Sequence, residues 1–266
     1  MKTINSLNNK NFKYLKQLKK AGFRKERGLI LVDGAREIKL ALKYGWELDS
    51  AYYCETLARK KSSWSREFLG LANSKIFFLP EKSFKEIAYK ENPDGFLAVF
   101  EQKNIKLEKV KLEPDSLLII LDSPEKPGNL GAVIRTSAAA GVGAVLVDDN
   151  KVDLYNPNVI RASEGEIFSQ NLVRSSFSEI TSWLKEKKIK LFAATKEAKL
   201  EYSQADLSGS VAIVLGSESS GLSERWRQAA DEFIKIPIKR EVDSLNLSVA
   251  TAVIIFESMR QRKLKL

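Results

Sequence analysis

The stretch LLIILDSPEKPGNLGAVIRTSAAAGVGAVLVD, residues 117–148, carries the clearest fold signal in the chain. It opens with an apolar run at 117–121, passes through a loop with two prolines, and continues into a helix of small residues over 129–140. A second apolar run follows at 144–147. Wholly apolar strands that flank a helix are typical of a parallel sheet covered by helices on both faces. The stretch therefore predicts an α/β fold.

The same alternation continues toward the end of the chain. Further strands are predicted over 190–194, 211–215 and 233–236. A long helix is predicted over 246–260, and four of its apolar residues recur at helical spacing. We expect these four to face inward: Val249, Ala252, Val253 and Phe256.

Residues 28–100 also alternate between short apolar runs and helical patterns, so the first half is α/β as well. The stretch EQKNIKLEKVKLEPD at 101–115 interrupts this pattern because it is highly charged and weakly periodic. We therefore predict a first domain over 1–105, a linker over 106–115 and a second domain over 116–266.

Composition excludes several kinds of chemistry. The 266 residues contain no histidine and a single cysteine, Cys54, which rules out histidine bases, histidine-ligated metals and an internal disulfide. We therefore expect no metal site, and a reducing, cytoplasmic location. No apolar run approaches the roughly 20 residues that a membrane-spanning helix needs.

The net charge of +10 is concentrated at one end, because residues 1–30 hold nine basic side chains and one acidic one. Such a basic arm favours contact with a polyanion such as RNA. A solvated amphipathic helix and a membrane surface are the alternatives. The candidate RNA-binding residues are Lys10, Lys13, Lys16, Lys19, Lys20, Arg24, Lys25 and Arg27.

Three unusual loops follow predicted strands: DSPEKPGNLG at 122–131, GSESSGLS at 216–223 and PIKREVDSLNLS at 237–248. Ligands of open parallel sheets bind outside the carboxyl ends of the strands, so these loops predict one shared site. Their glycines and small side chains allow close approach of a nucleotide-like ligand. None contains a dinucleotide or P-loop fingerprint, which disfavours a Rossmann-type nucleotide enzyme.

Within these loops, NLGAVIR at 129–135, LGSESSGL at 215–222 and IPIKREVDSLNLS at 236–248 resemble the three motifs of the SpoU/TrmH family of SPOUT RNA methyltransferases. RGLILVDGAR at 27–36 resembles the N-terminal substrate-binding domain of that family, which is related to ribosomal protein L30e. The resemblance implies a C-terminal α/β domain with a deep trefoil knot and a smaller L30e-like α/β domain. It also implies a homodimer, S-adenosylmethionine as cofactor, and a ribose 2′-hydroxyl as methyl acceptor.

Motif positions in the resemblance give expected roles to individual residues. The positions that the family uses for catalysis and support of the site are Asn129, Arg135, Glu218, Ser244 and Asn246. By motif position the expected cofactor-binding residues are Gly216, Ile236 and Leu245, and Thr195 is a further candidate for the same pocket because it follows the predicted strand over 190–194. Structural roles are open for several of them, since Glu218 is suited to ordering the loops and Asn129, Ser244 and Asn246 to capping helices.

Three departures from the family pattern bear on RNA specificity. Arg240 and Ser219 stand where glycines are usual, and SEGE at 163–166 replaces a more apolar pattern. The resemblance predicts ribose 2′-O-methylation of structured RNA, of the 23S ribosomal type. Alternatives are a transfer RNA 2′-O-methyltransferase and a non-catalytic RNA-binding protein on the same fold.

Overall fold

The computed structural model describes residues 2–4, 8–58, 62–71, 75–148, 152–239, 241 and 243–264. Contacts divide the chain into two compact units. The first consists of Met1–Lys103 and Tyr155–Ser169, and the second of Asn104–Leu154 and Gln170–Leu266. No helix among the described residues is both long enough and apolar enough to cross a membrane.

The first half of the chain forms a five-stranded sheet with helices against it. Its elements are β1 (Lys2–Thr3), α1 (Lys10–Leu18), α2 (Ala21–Arg27), β2 (Leu29–Asp33), α3 (Ala35–Lys43), β3 (Leu48–Tyr53), α4 (Glu55–Ala58), α5 (Ser62–Leu69), β4 (Lys75–Phe78), α6 (Glu81–Ile87) and β5 (Phe96–Glu101). The strand order is β1-β4-β3-β5-β2, with β5 antiparallel to both of its neighbours. Apolar residues of α1 and α6 pack on one face of this sheet.

The second half of the chain supplies the other sheet. Its elements are β6 (Leu117–Asp122), α7 (Pro127–Ala140), β7 (Ala144–Asp148), α8 (Pro157–Ala162), β8 (Leu172–Arg174), α9 (Phe177–Glu186), β9 (Lys190–Ala194), β10 (Leu200–Glu201), β11 (Val211–Leu215), α10 (Glu224–Ala229), β12 (Glu232–Lys235) and α11 (Leu247–Leu264). All seven strands are parallel, in the order β10-β12-β9-β11-β6-β7-β8. The predicted α/β fold class is confirmed, and the trefoil knot stays a prediction of the resemblance.

Strands β6, β7 and β11 are buried along their whole length, as their apolar sequences predict. The stretch predicted as a linker is not detached from this unit. Leu107 and Val110 are buried in its core, and Leu107–Lys109 forms a 3-10 turn. Burial of these two side chains ties the charged stretch to the second unit.

Residues 155–169 belong to the first unit, although the sequence analysis placed them in the second domain. Their aromatic side chains explain the difference. The indole Nε1 of Trp46 donates a hydrogen bond of 3.1 Å to the carbonyl of Phe168, and the two rings lie 5.0 Å apart. Within the SEGE segment, Glu164 forms an ion pair with Arg36 of α3. These partners are distant in sequence, so local periodicity does not reveal the association.

Helix α11 does not bury the face predicted from its sequence. Thr251, Ile254 and Ile255 are buried, whereas Val249 is 48% exposed and Phe256 is 52% exposed. The expectation that Val249 and Phe256 face inward is wrong. The helix is apolar on both sides, so spacing alone does not select the buried one.

Candidate active site

The three loops singled out in the sequence follow β6, β11 and β12. Strands β6 and β11 are hydrogen-bonded neighbours, and β9 alone separates β11 from β12. Because all these strands run parallel, their carboxyl ends meet at one edge of the sheet. The loops therefore lie together over that edge, as the sequence predicts.

A chain of side-chain hydrogen bonds joins three of the five predicted catalytic residues. The amide nitrogen of Asn129 donates to Oε1 of Glu218. The amide nitrogen of Asn246 donates to Oδ1 of Asn129 at 3.1 Å. Asn129 is thus held from both sides by the loop after β11 and by the start of α11.

The capping roles left open by the sequence are resolved by these contacts. Oδ1 of Asn246 accepts a hydrogen bond of 2.9 Å from the backbone N–H of Ser248, so Asn246 caps α11. Asn129 is no cap, because α7 begins earlier, at Pro127. Asn246 therefore both caps α11 and takes part in the hydrogen-bonded chain.

Glu218 carries an unused hydrogen-bonding atom. Its Oε2 is buried and has no hydrogen-bond partner among the described residues. A buried carboxylate oxygen without a partner costs free energy, so such an atom in a native structure calls for a ligand or a catalytic explanation. The location of Glu218 beside a cavity supplies one.

That cavity has a volume of about 400 Å³ and will be called the cofactor cavity. All four predicted cofactor-binding residues line it, namely Thr195, Gly216, Ile236 and Leu245. Glu218 and Ser244 line it as well. Its other walls combine isoleucine and leucine side chains with charged groups at Lys196, Glu197, Arg227 and Asp243. The lining is suited to a ligand with an apolar body and polar ends.

Gly216 is required by a close approach of two backbone segments. A Cβ atom at Gly216 would lie 2.1 Å from the carbonyl carbon of Gly221. Ser217 and Gly221 also exchange two backbone hydrogen bonds, of 3.2 and 3.1 Å, and Gly221 has a φ of 64°. The result is a closed turn over 217–221 whose backbone forms part of the cavity wall.

Three further motif positions are Arg135, Ser244 and Arg240. Arg135 is exposed on the third turn of α7 and does not line the cofactor cavity. Ser244 is exposed at the cavity. Arg240 lies outside the described residues. The structure therefore joins Asn129, Glu218 and Asn246 directly, and places Ser244 at the same cavity.

Two buried carboxylates at the ends of β6 and β7 were not predicted as site residues. Asp148 accepts hydrogen bonds of 2.8 Å from the indole of Trp226 and from Arg225, and burial raises its pKa. Asp122 accepts a 2.8 Å hydrogen bond from the backbone N–H of Ser223. Both carboxylates tie α10 and the loop before it to the strand ends, a structural role.

The basic arm forms α1 and α2, and its eight candidate residues differ in exposure. Lys10, Lys13, Lys20 and Lys25 are exposed and form no ion pair with a described residue. Lys16 pairs with Glu86 at 2.6 Å, Lys19 donates to the carbonyl of the same residue at 3.0 Å, and Arg27 lies 3.6 Å from Glu26.

Arg24 corrects the prediction for that position. It is only 1% exposed, and its Nη1 donates hydrogen bonds of 2.7 and 2.8 Å to the carbonyls of Leu18 and Lys19. These carbonyls end α1, so the guanidinium satisfies backbone groups at the junction with α2. Arg24 is therefore a structural residue and is inaccessible to RNA.

Two family models match separate parts of the chain. Residues 116–256 match the SpoU rRNA methylase family, and residues 9–98 match the MRM3-like substrate binding domain. The 23S rRNA (uridine(2479)-2′-O)-methyltransferase of Streptomyces viridochromogenes is 30% identical over 242 residues, which cover 88% of this chain and 84% of that protein. The 23S rRNA (guanosine(2553)-2′-O)-methyltransferase RlmP of Bacillus subtilis is 25% identical, with 96% and 98% covered.

A solved structure extends the likeness to three dimensions. The SpoU methyltransferase AviRb from Streptomyces viridochromogenes, in complex with the cofactor AdoMet, superposes with a TM-score of 0.89 at 28% identity. The superposition covers 96% of this chain and 99% of that one. By sequence and by structure, this chain belongs to the SpoU rRNA methylase family.

Proposed function

We propose that this protein transfers a methyl group from S-adenosylmethionine to a ribose 2′-hydroxyl of 23S-type ribosomal RNA. The observation that carries the proposal is the hydrogen-bonded chain from Asn246 through Asn129 to Glu218, whose last member lines the cofactor cavity. A protein that only bound RNA would have no need of this arrangement beside a ligand-sized cavity. The names of the two 23S rRNA methyltransferases above support the choice of substrate.

The cofactor cavity suits S-adenosylmethionine on three grounds. Its isoleucine and leucine walls suit a flat adenine ring, and the backbone of the turn over 217–221, whose close approach Gly216 permits, offers polar groups along the wall. Three carboxylates and two basic groups line it, which favours a ligand with a positive sulfonium. We assign its binding to Thr195, Gly216, Ile236 and Leu245. When bound, the cofactor supplies an electrophilic methyl group that requires no metal.

The residues of the chain then have to orient the acceptor and manage its proton. Transfer would form the ribose O–CH₃ bond, break the S–CH₃ bond to leave a neutral thioether, and pass the 2′-hydroxyl proton to solvent, starting with oxygen and carbon about 3 Å apart. Asn129 is fixed by partners on both sides, so it is suited to hold Glu218 in one orientation. We assign Arg135 a required role toward the RNA, where its planar guanidinium binds the phosphate beside the target ribose.

A homodimer is part of the proposal. Val249 and Phe256 lie seven residues apart on α11 and are each about half exposed, although the helix is already buried on its other side. An exposed apolar face on a helix is suited to a second copy of the same element.

A cytoplasmic location also remains part of the proposal, since ribosomal RNA is the proposed substrate.

The proposal is tested by incubating the chain with labelled S-adenosylmethionine and either unmodified 23S ribosomal RNA or transfer RNA. We expect transfer to the ribosomal RNA, and near-complete loss of transfer in Arg135→Lys, because lysine lacks the planar fork of arginine. Methylation of transfer RNA but not of ribosomal RNA would show that transfer RNA is the substrate. Tight RNA binding without transfer to either RNA would favour the non-catalytic alternative.

A further inference from the structure

A second cavity, of about 550 Å³, shares a wall with the cofactor cavity. Ser217, Ser220 and Gly221 line both, so the turn over 217–221 separates them. The remaining lining comes from the end of β6 and the loop after it, at Asp122, Ser123, Pro124 and Glu125, from Val152 after β7, and from Ser223 before α10. Its volume lies within the range of about 300–1,000 Å³ that is common for small-ligand sites. No predicted site residue lines this second cavity.

The lining of the second cavity is unsuited to phosphate. It has two carboxylates and four serine hydroxyls, and none of the described residues that line it carries a positive charge. Carboxylates repel a phosphate group and accept hydrogen bonds from N–H groups. The chemistry therefore disfavours an anionic group in this cavity and favours a ligand that presents N–H donors.

The two carboxylates of this lining differ in what they are free to bind. Asp122 is 3% exposed and already accepts the backbone N–H of Ser223. Glu125 is exposed, and its Oε1 accepts a hydrogen bond from the hydroxyl of Ser219. This hydrogen bond holds the pKa of Glu125 below its usual value, so the carboxylate is charged at neutral pH. In addition, the buried hydroxyl of Ser223 has no partner among the described residues.

The second cavity lies beside the groups assigned to ribose methylation. Glu125 precedes Asn129 by four residues in the same loop and helix start, and Ser217 and Ser220 stand on either side of Glu218. The walls of the second cavity are thus the same two loops that hold Asn129 and Glu218 together. A nucleotide bound with its ribose at Glu218 would therefore lie next to the loops that form this lining.

We propose that the second cavity binds the base of the target nucleotide, and that Glu125 determines specificity by accepting hydrogen bonds from its Watson–Crick edge. Guanine fits this lining best, because its N1–H and N2 amino group present adjacent donors to one carboxylate. Structured RNA is commonly read through bases that are splayed out of the helix and bonded on this edge. This inference rests on the proposed function.

Ser219 holds Glu125 in place and is particular to this chain. It stands where the family pattern has glycine, and its hydroxyl connects the loop after β11 to Glu125 in the loop after β6. Replacement by glycine would leave Glu125 without this partner. Ser219→Gly is therefore expected to weaken base discrimination in the same direction as Glu125→Gln, with a smaller effect.

The test compares short RNAs that carry guanosine, inosine, adenosine or uridine at the mapped target position. Inosine lacks the N2 amino group and is otherwise equal to guanosine. We expect the unaltered chain to prefer guanosine over inosine by about 5- to 100-fold in kcat/KM, and Glu125→Gln to lose most of that preference. Glu186→Gln, an exposed carboxylate on α9, serves as the matched control and should keep it.

Either of two results with RNA overturns the inference alone: an unchanged guanosine-to-inosine ratio in Glu125→Gln, or a mapped target that is not guanosine. Weaker binding of S-adenosylmethionine by Glu125→Gln, measured by calorimetry, would also overturn it, because the second cavity would then serve the cofactor. Absence of methyl transfer by the unaltered chain to every RNA overturns the proposed function, and this inference with it. The two failures are therefore distinguishable.

Discussion

The side-chain amide of Asn129 donates a hydrogen bond to the carboxylate of Glu218, which lies 89 residues further along the chain. The contact forms because β6 and β11, the strands that precede these residues, are neighbours in the parallel sheet. Asn246 completes the arrangement from the start of α11. Three separate loops thus become one hydrogen-bonded unit, and disturbing any member should affect the others.

Replacement of the central residue tests this dependence. Asn129→Ala removes both hydrogen bonds and leaves Glu218 free to reorient, so we expect single-turnover methyl transfer to fall by about a hundredfold. The melting temperature should change little, because Asn129 is only partly buried. Asn104→Ala, at an exposed asparagine, is the matched control. A full rate of transfer in Asn129→Ala would show that the hydrogen-bonded chain is unnecessary.

The backbone approach at Gly216 yields a prediction about cofactor binding. In Gly216→Ala the new methyl group collides with the backbone of Gly221, so the turn that walls the cofactor cavity has to move. We expect the Kd for S-adenosylmethionine, measured by calorimetry, to rise more than about tenfold, with about 1–3 kcal/mol lost in stability. Gly209→Ala has open space for its Cβ and should change neither quantity. Equal affinity in the two variants would contradict the assignment of this cavity.

The basic arm gives a prediction that separates stability from RNA binding. Arg24→Met leaves the carbonyls of Leu18 and Lys19 without their donor, so we expect the free energy of unfolding to fall by about 2 kcal/mol. Lys25→Gln should leave stability unchanged and weaken RNA binding, reducing the salt-dependence slope by about one. Chemical denaturation and binding titrations at several salt concentrations measure both effects. If Arg24→Met kept its free energy of unfolding and bound RNA more weakly, Arg24 would be an RNA-binding residue and its structural role would be contradicted.

The exposed face of α11 predicts the oligomeric state. Phe256→Glu places a charge in the proposed apolar interface, so sedimentation velocity should show a monomer, whereas we expect a dimer for the unaltered chain. Tyr44→Glu, at an exposed aromatic residue of the first unit, should remain dimeric. A dimer that persists in Phe256→Glu would place the interface elsewhere.

Much of the second unit could be predicted from sequence because its strands are short, apolar and fully buried. The runs at Leu117–Asp122 and Val211–Leu215 indicated both the parallel sheet and the loops that follow it. Three of the cofactor-binding positions, Gly216, Ile236 and Leu245, came from motif resemblance, and Thr195 came from its place at the end of a predicted strand. All four line one cavity.

What sequence could not reveal depends on tertiary partners. In the sequence, Arg24 cannot be distinguished from the other charged residues of the basic arm. Its guanidinium is buried because the end of α1 places two backbone carbonyls beside it. The exposure of Phe256 could not be predicted from sequence, because α11 is apolar on both sides. The bond between Ser219 and Glu125, 94 residues apart, requires the pairing of β6 with β11.

The chemical position of the transferred methyl group tests the central claim most directly. After transfer from labelled S-adenosylmethionine to unmodified 23S ribosomal RNA, the product is hydrolysed in alkali, which requires a free 2′-hydroxyl for cleavage. We predict label in an alkali-stable dinucleotide, because a methylated ribose oxygen blocks cleavage at that position. Label recovered in a mononucleotide would show methylation of a base and contradict the account.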